Sequence, residues 1–178
     1  MIGVLLVDDH AVVREGYRRL LELQGDMRVR AEAADGAEAL AALREQSFDV
    51  AIVDLALPGL GGLELISRLR QREQAPRVLA FSMHRDPVWA TQALRAGALG
   101  YVTKSSPPEH LVQAVRAVAA GRRTISSDMA GEVAAALLAA DTAGAPQGLS
   151  PREFEVLRGL LAGRAPREIA DKIGRAHV

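Results

Sequence analysis

The chain of 178 residues contains no cysteine, only two lysines and no net charge, and none of its apolar runs is long. Each shortage excludes something. Without cysteine there is no disulfide scaffold and no zinc–cysteine site, and a reducing cytoplasm is the expected location. The longest later apolar run, "VAAALLAA" at 133–140, is far too short to cross a bilayer. "IGVLLV" after Met1 runs straight into two aspartates, so it does not read as a secretory signal, and no membrane partner is expected. Charge is spread evenly: residues 1–121 hold 14 basic and 15 acidic side chains, and residues 122–178 hold 8 and 7. Neither part has the positive excess that usually marks a nucleic-acid-binding surface. Of the 22 basic residues, 20 are arginine; Lys104 and Lys172 are the exceptions.

What is present is 49% apolar residue content, arranged with a rhythm. Up to Gly121 short apolar runs alternate with helical periods. The runs at 2–7, 28–33, 49–53, 77–81 and 99–103 predict strands covered on both faces. Between them, Val13, Tyr17, Leu20 and Leu21 form a helical stripe that stops at Gly25. Asp35 with Glu38, and Ser106 with Pro107 and Glu109, predict helix starts with capping boxes. Five βα units in succession imply an α/β fold with a doubly wound, five-stranded parallel sheet. From residue 122 the β pattern is expected to end. An Ala-rich helix and a loop then follow within 122–148, and "LSPREFEVLRGLLAG" opens another helix at Ser150.

In such a sheet the crevice lies at the carboxyl ends of the strands. The first strand ends at Asp8 and Asp9, the third at Asp54, the fourth at Ser82 and the fifth at Lys104. Singly, these read as turn carboxylates, a loop serine and a surface cation. Together, three converging carboxylates repel one another unless a cation sits among them, and hard oxygen ligands suit Mg²⁺. A lysine at the same rim suits phosphate oxygens. The pattern points to Asp54 as a nucleophile for a phosphoryl group, with Mg²⁺ and Lys104 offsetting the negative charge.

"VLLVDDH", "DVAIVDLALPGLGG", "VLAFSMH" and "GYVTKSS" resemble the receiver domain of two-component response regulators, over residues 2–120. The resemblance implies a flavodoxin-like fold and assigns Asp54 as phosphoacceptor. It also implies that Asp8, Asp9, Asp54 and the backbone carbonyl of Ala56 hold Mg²⁺, and that Lys104 contacts the phosphoryl group. Ser82 and Tyr101 match the hydroxyl and aromatic switch positions, and Pro58 and Gly62 the loop after the acceptor. Ser105 stands where many relatives carry proline. The implied partners are a sensor histidine kinase and, on phosphorylation, a second copy of the chain. The protein is expected not to be an enzyme, beyond taking part in its own phosphoryl transfer and dephosphorylation.

"LSPREFEVLRGLLAGRAPREIADKI" is similar to the start of a LuxR-type helix-turn-helix domain of the NarL/FixJ class. The expected organisation is a receiver at 1–121, a helical linker and loop at 122–148, and a partial helix-turn-helix at 149–172. Residues 173–178 are expected to be a non-native tail. Ile173 to Val178 can be encoded ATC-GGA-AGA-GCA-CAC-GTC, which resembles a short-read sequencing adapter, so genuine sequence is expected to end near Asp171 or Lys172. On this reading the intact parent regulates transcription by binding DNA, whereas the present chain, lacking a recognition helix, does not bind it specifically. Two alternatives remain. One is a stand-alone receiver or adaptor acting only through protein contacts. The other is an Asp-nucleophile phosphatase, which disfavours itself because Ala56 stands where that class wants a second aspartate.

Overall fold

The computed structural model describes residues 1–127 and 129–133. In chain order they form β1 (Ile2–Val7), α1 (Ala11–Glu22), β2 (Met27–Ala33), α2 (Gly36–Glu45), β3 (Val50–Asp54), α3 (Gly62–Arg70), β4 (Arg77–Ser82), α4 (Pro87–Ala96), β5 (Gly100–Thr103), α5 (Pro108–Ala119) and β6 (Thr124–Ile125). All strands are parallel, in the order β2-β1-β3-β4-β5-β6. The doubly wound parallel sheet therefore stands, but with six strands rather than five. The sixth was invisible because two residues are too short to show a period. Its pairing, Gly100 with Thr124 and Tyr101 with Ile125, comes from β5 and not from its own sequence. The partial helix-turn-helix over 149–172 and the tail over 173–178 lie outside the described residues, as does the linker beyond residue 133.

Alternation along the strands builds two cores. Val4, Leu6, Val50, Ile52, Leu79, Phe81 and Val102 face one side, where they pack with Leu21 of α1 and Leu111, Val115 and Val118 of α5. Leu5, Val7, Ala51, Val53, Val78, Ala80 and Tyr101 face the other, with α2, α3 and α4. Because both faces are covered, β1 and β3 are apolar almost throughout. The edge strand β2 differs. Met27 and Ala33 are buried while Arg28, Arg30 and Glu32 are exposed, and charges along an edge discourage pairing with another chain.

Helix ends test the capping expectations. Asp35 accepts from the Glu38 amide at 2.8 Å, and Glu38 reaches back to the Ala34 amide at 2.7 Å. The predicted box at Ser106 does not form. Pro107 is the N-cap of α5 with no side-chain cap, and the Ser106 hydroxyl is taken up at 2.7 Å by Thr103 Oγ1. The stripe on α1 is real but shallow: Leu21 is buried, while Val13, Tyr17 and Leu20 are half-buried. Gly25 lies two residues past the α1 C-cap at Leu23, with φ of 76° in the turn to β2.

One glycine is fixed by close approach. A Cβ on Gly62, at the start of α3, would lie 2.2 Å from the Asp54 carbonyl oxygen and 2.6 Å from Leu55 Cα. Those are backbone atoms and cannot swing aside, so α3 is held against the end of β3. Gly62→Ala is expected to destabilise the fold by about 1–3 kcal/mol, as overpacking does. Urea unfolding checks this; a variant as stable as the parent would show that the β3–α3 loop moves freely.

Candidate functional site

The strand order reverses between β1 and β3, and a crevice forms outside the carboxyl ends of the strands at such a point. Asp8 and Asp9 follow β1, and Asp54 ends β3 in register with Phe81 of β4. The fold thus brings together carboxylates that lie 46 positions apart in the chain. Asp8 and Asp54 are 1% and 3% exposed. Asp9 faces solvent, with its side chain 32% accessible.

Two buried carboxylates so close need a counter-charge, and Lys104 supplies it from the loop after β5. Its side chain is 8% exposed, and its ammonium donates to Asp8 Oδ2 at 2.5 Å and to Asp54 Oδ2 at 2.7 Å. The other Asp54 oxygen accepts from the Ala56 amide at 2.9 Å, and Asp8 Oδ1 accepts from the His10 amide at 2.8 Å. Every buried carboxylate oxygen is thereby satisfied, as burial demands. Burial pulls the Lys104 pKa down, but its hydrogen bonds and attraction to Asp54 and Asp8 outweigh that and raise it above the ordinary 10.5.

Oxygens of Asp8, Asp9 and Asp54 and a nitrogen of His10 lie within 4.8 Å of one another. His10 Nδ1 is 2.8 Å from Asp9 Oδ1 and 3.3 Å from Asp8 Oδ1. Neither His10 nor Arg14, whose Nη1 donates to the Asp8 carbonyl, figured among the sequence candidates. His10 adjoins the aspartate pair and could have been suspected. The Arg14 contact is to backbone, which leaves no sequence trace.

The remaining two candidates sit beside the carboxylates rather than among them. Ser82 is fully buried at the end of β4, its hydroxyl accepting from the His84 amide at 3.2 Å. Its carbonyl accepts from the Lys104 amide, tying β4 to the lysine's loop. Tyr101 lies on the neighbouring strand β5, paired with Ala80. It is fully buried, and its hydroxyl donates to the His84 carbonyl at 2.7 Å. Burial pushes the phenol up to about 12, with the nearby Ser82 hydroxyl acting in the opposite direction. His84, another residue the sequence did not single out, therefore links the two expected switch positions. Its ring stacks on Trp89, with centroids 4.3 Å apart.

Residues 4–116 match the family model described as the response regulator receiver domain. The chain is 38% identical over 174 residues to the transcriptional regulatory protein UhpA of Salmonella typhimurium, covering 98% of this chain and 83% of UhpA. Among solved structures, a LuxR-family two-component response regulator from Aurantimonas is 49% identical with a TM-score of 0.73, covering 78% of this chain and 99% of that one. RcsB from Salmonella enterica, solved bound to the rprA promoter with the phosphomimetic BeF3−, is 27% identical with a TM-score of 0.74, covering 97% of this chain and 83% of that one. The chain belongs to the response regulators of two-component systems, and its described part is their receiver domain. Receivers of this family generally bind Mg²⁺ at an acidic pocket, and membership implies a histidine kinase partner.

Removing the lysine should expose what it does here. Lys104→Met leaves Asp8 and Asp54 buried without a counter-charge, at a cost of about 3 kcal/mol near neutral pH. A group whose folded pKa is raised contributes fully below its unfolded value and loses that contribution as pH rises through the folded value. The stability gap between parent and variant, read by chemical denaturation without Mg²⁺, should therefore narrow as the pH climbs beyond 10.5. A gap that is absent at neutral pH, or widens above it, would contradict this account.

Proposed function

We propose that Asp54 accepts a phosphoryl group from a sensor histidine kinase, and that the parent protein uses the resulting aspartyl phosphate to regulate transcription. The observation that carries this is the Asp54 carboxylate, 3% exposed, held at one oxygen by Lys104 and at the other by the Ala56 amide beside the Asp8–Asp9 pair. A carboxylate so held is oriented without being covalently committed. One of its oxygens attacks phosphorus, the bond from phosphorus to the donor breaks, and the electron pair leaves with the donor. That donor is an imidazole in the kinase or acetate in acetyl phosphate. Lys104 then faces new negative charge on the phosphoryl oxygens, where a compact ammonium is effective. Attack by water on the same phosphorus returns the carboxylate and releases inorganic phosphate. The chain turns over no other substrate.

Asp8, Asp9, Asp54 and the Ala56 carbonyl would hold Mg²⁺, which would supply charge neutralisation for the transferred group. The donor set fits: carboxylate oxygens from all three aspartates lie within 4.8 Å, and hard oxygen suits that ion. Among the described residues no helix is long and apolar enough to cross a membrane. DNA binding by the parent, and pairing of two copies on phosphorylation, follow the family. RcsB has been solved as dimers on DNA.

With Mg²⁺ and acetyl phosphate the protein should gain one acid-labile phosphoryl group, and Asp54→Asn should gain none. Intact-protein mass spectrometry decides this, and equal labelling of the two would remove Asp54 as acceptor. Beryllofluoride with Mg²⁺ should also alter Trp89 emission, since the His84 ring against it belongs to the loop that follows Ser82. Unchanged spectra at saturation would count against a switch through Ser82.

A further inference from the structure

Phe81 stands beside the acceptor because of strand register. It pairs with Asp54 across β3 and β4, so both side chains leave the sheet on the same face, as the pair Ile52 and Leu79 does two residues earlier. Phe81 is 3% exposed, and the Lys104 ammonium lies over its ring, 5.7 Å from the centroid. Tyr17 of α1 meets the same ring edge-on, with centroids 4.7 Å apart and an interplanar angle of 84°, a favoured arrangement for two aromatics. The tyrosine also feels the site. Burial raises its phenol, the Lys104 charge works against that, and the Asp8 charge adds to it.

An ammonium has three hydrogens to place. Asp8 Oδ2 and Asp54 Oδ2 accept one each, and no third acceptor for it stands among the described residues. The Phe81 ring supplies a further attraction of another kind, since a cation within roughly 6 Å of a ring centroid is drawn to the negative face. The lysine side chain is nearly enclosed, and desolvation strengthens such a contact. A ring also differs from another carboxylate or carbonyl in attracting charge without fixing its direction. We infer that Phe81 is a positioning residue for phosphoryl transfer, its ring face holding the Lys104 ammonium in the crevice beside Asp54.

The inference rests on the phosphoacceptor reading and adds a residue to it. When phosphoryl oxygens arrive on Asp54, the ammonium must turn toward them without leaving the crevice. Its hydrogen bonds to the two carboxylates are exchanged in that step, whereas the ring holds the charge throughout. Leucine at position 81 fills much of the same volume but has no such face. The flexible four-carbon stem of the lysine then lets the ammonium drift toward water, where it is strongly hydrated. Fewer molecules present it to the phosphoryl oxygens, so transfer slows although the nucleophile is intact. The ring takes no proton and forms no bond, and its whole effect runs through Lys104.

Two replacements in the whole 178-residue chain separate attraction from packing. Phe81→Leu removes the ring, and Phe81→pentafluorophenylalanine keeps its shape while making its face positive. Labelling of Asp54 by acetyl phosphate with Mg²⁺ should slow about fivefold in each, as loss of a partly desolvated cation–ring contact implies. Beryllofluoride with Mg²⁺ should bind each about fivefold more weakly. In the fluorinated protein the Lys104 ε-carbon resonance should also move, a change that a ring serving only as filler would not produce. If that protein folds, labels at the parent's rate and leaves Lys104 unmoved, the inference is overturned while Asp54 remains the acceptor. Should it not fold, the labelling rate of Phe81→Leu decides, and a rate equal to the parent's overturns the inference. If the parent itself gains no phosphoryl group, the phosphoacceptor reading falls and takes the role of Phe81 with it.

Discussion

The structure turns on one ammonium group shared by two carboxylates that could not otherwise be buried together. Asp8 and Asp54 lie at the carboxyl ends of adjacent strands, nearly closed off from solvent, and Lys104 donates to both. Leaving either carboxylate unpaired there would cost several kcal/mol. Bringing the lysine there requires that β5, β4, β3 and β1 all be in register, because its loop is tied to β4 through the Ser82 carbonyl. Site and sheet are thus one object. A slip of register that moved Asp54 by one residue would send its side chain to the other face and strand the lysine.

The same arrangement explains why the site is poised rather than inert. Lys104 binds each carboxylate through a single oxygen, and the second oxygen of each is held by a backbone amide nearby in the chain, His10 for Asp8 and Ala56 for Asp54. The lysine can therefore follow negative charge from carboxylate to phosphoryl group with little rearrangement. Fixed backbone donors preserve the position of the nucleophile meanwhile. Such preorganisation, rather than a strong general base, is what phosphoryl transfer asks of a protein.

Most of the frame was legible in the sequence because it is written in apolar runs and their boundaries. Strands such as "IGVLLV" and "DVAIV" announce burial on both faces, and the residues that end them fall at the crevice by topology alone. The gathering of Asp8, Asp9, Asp54 and Lys104 could be read that way. What could not be read depends on backbone atoms or on borrowed order. β6 owes its existence to β5, and "TI" carries no period of its own. Ser106 looked like a helix cap, but Thr103 takes its hydroxyl and Pro107 occupies the cap position. Arg14 and Tyr101 act on the carbonyls of Asp8 and His84, and residue identity does not encode a carbonyl's partner. Met129 and Val133 likewise join the apolar cluster that contains Tyr101, from a segment whose composition suggested only a linker.

Because the chain has only two lysines, the central claim can be measured almost without interference. Carbon-13 labelling of the lysine ε-position gives two resonances, assigned by substituting Lys172, and a pH titration reads the Lys104 ammonium directly. The account predicts that Lys104 stays protonated beyond the ordinary lysine value of 10.5, and that its resonance shifts when beryllofluoride and Mg²⁺ are added. A Lys104 that titrates at or below that value and ignores the probe would show that it is not the counter-charge on which Asp8 and Asp54 depend.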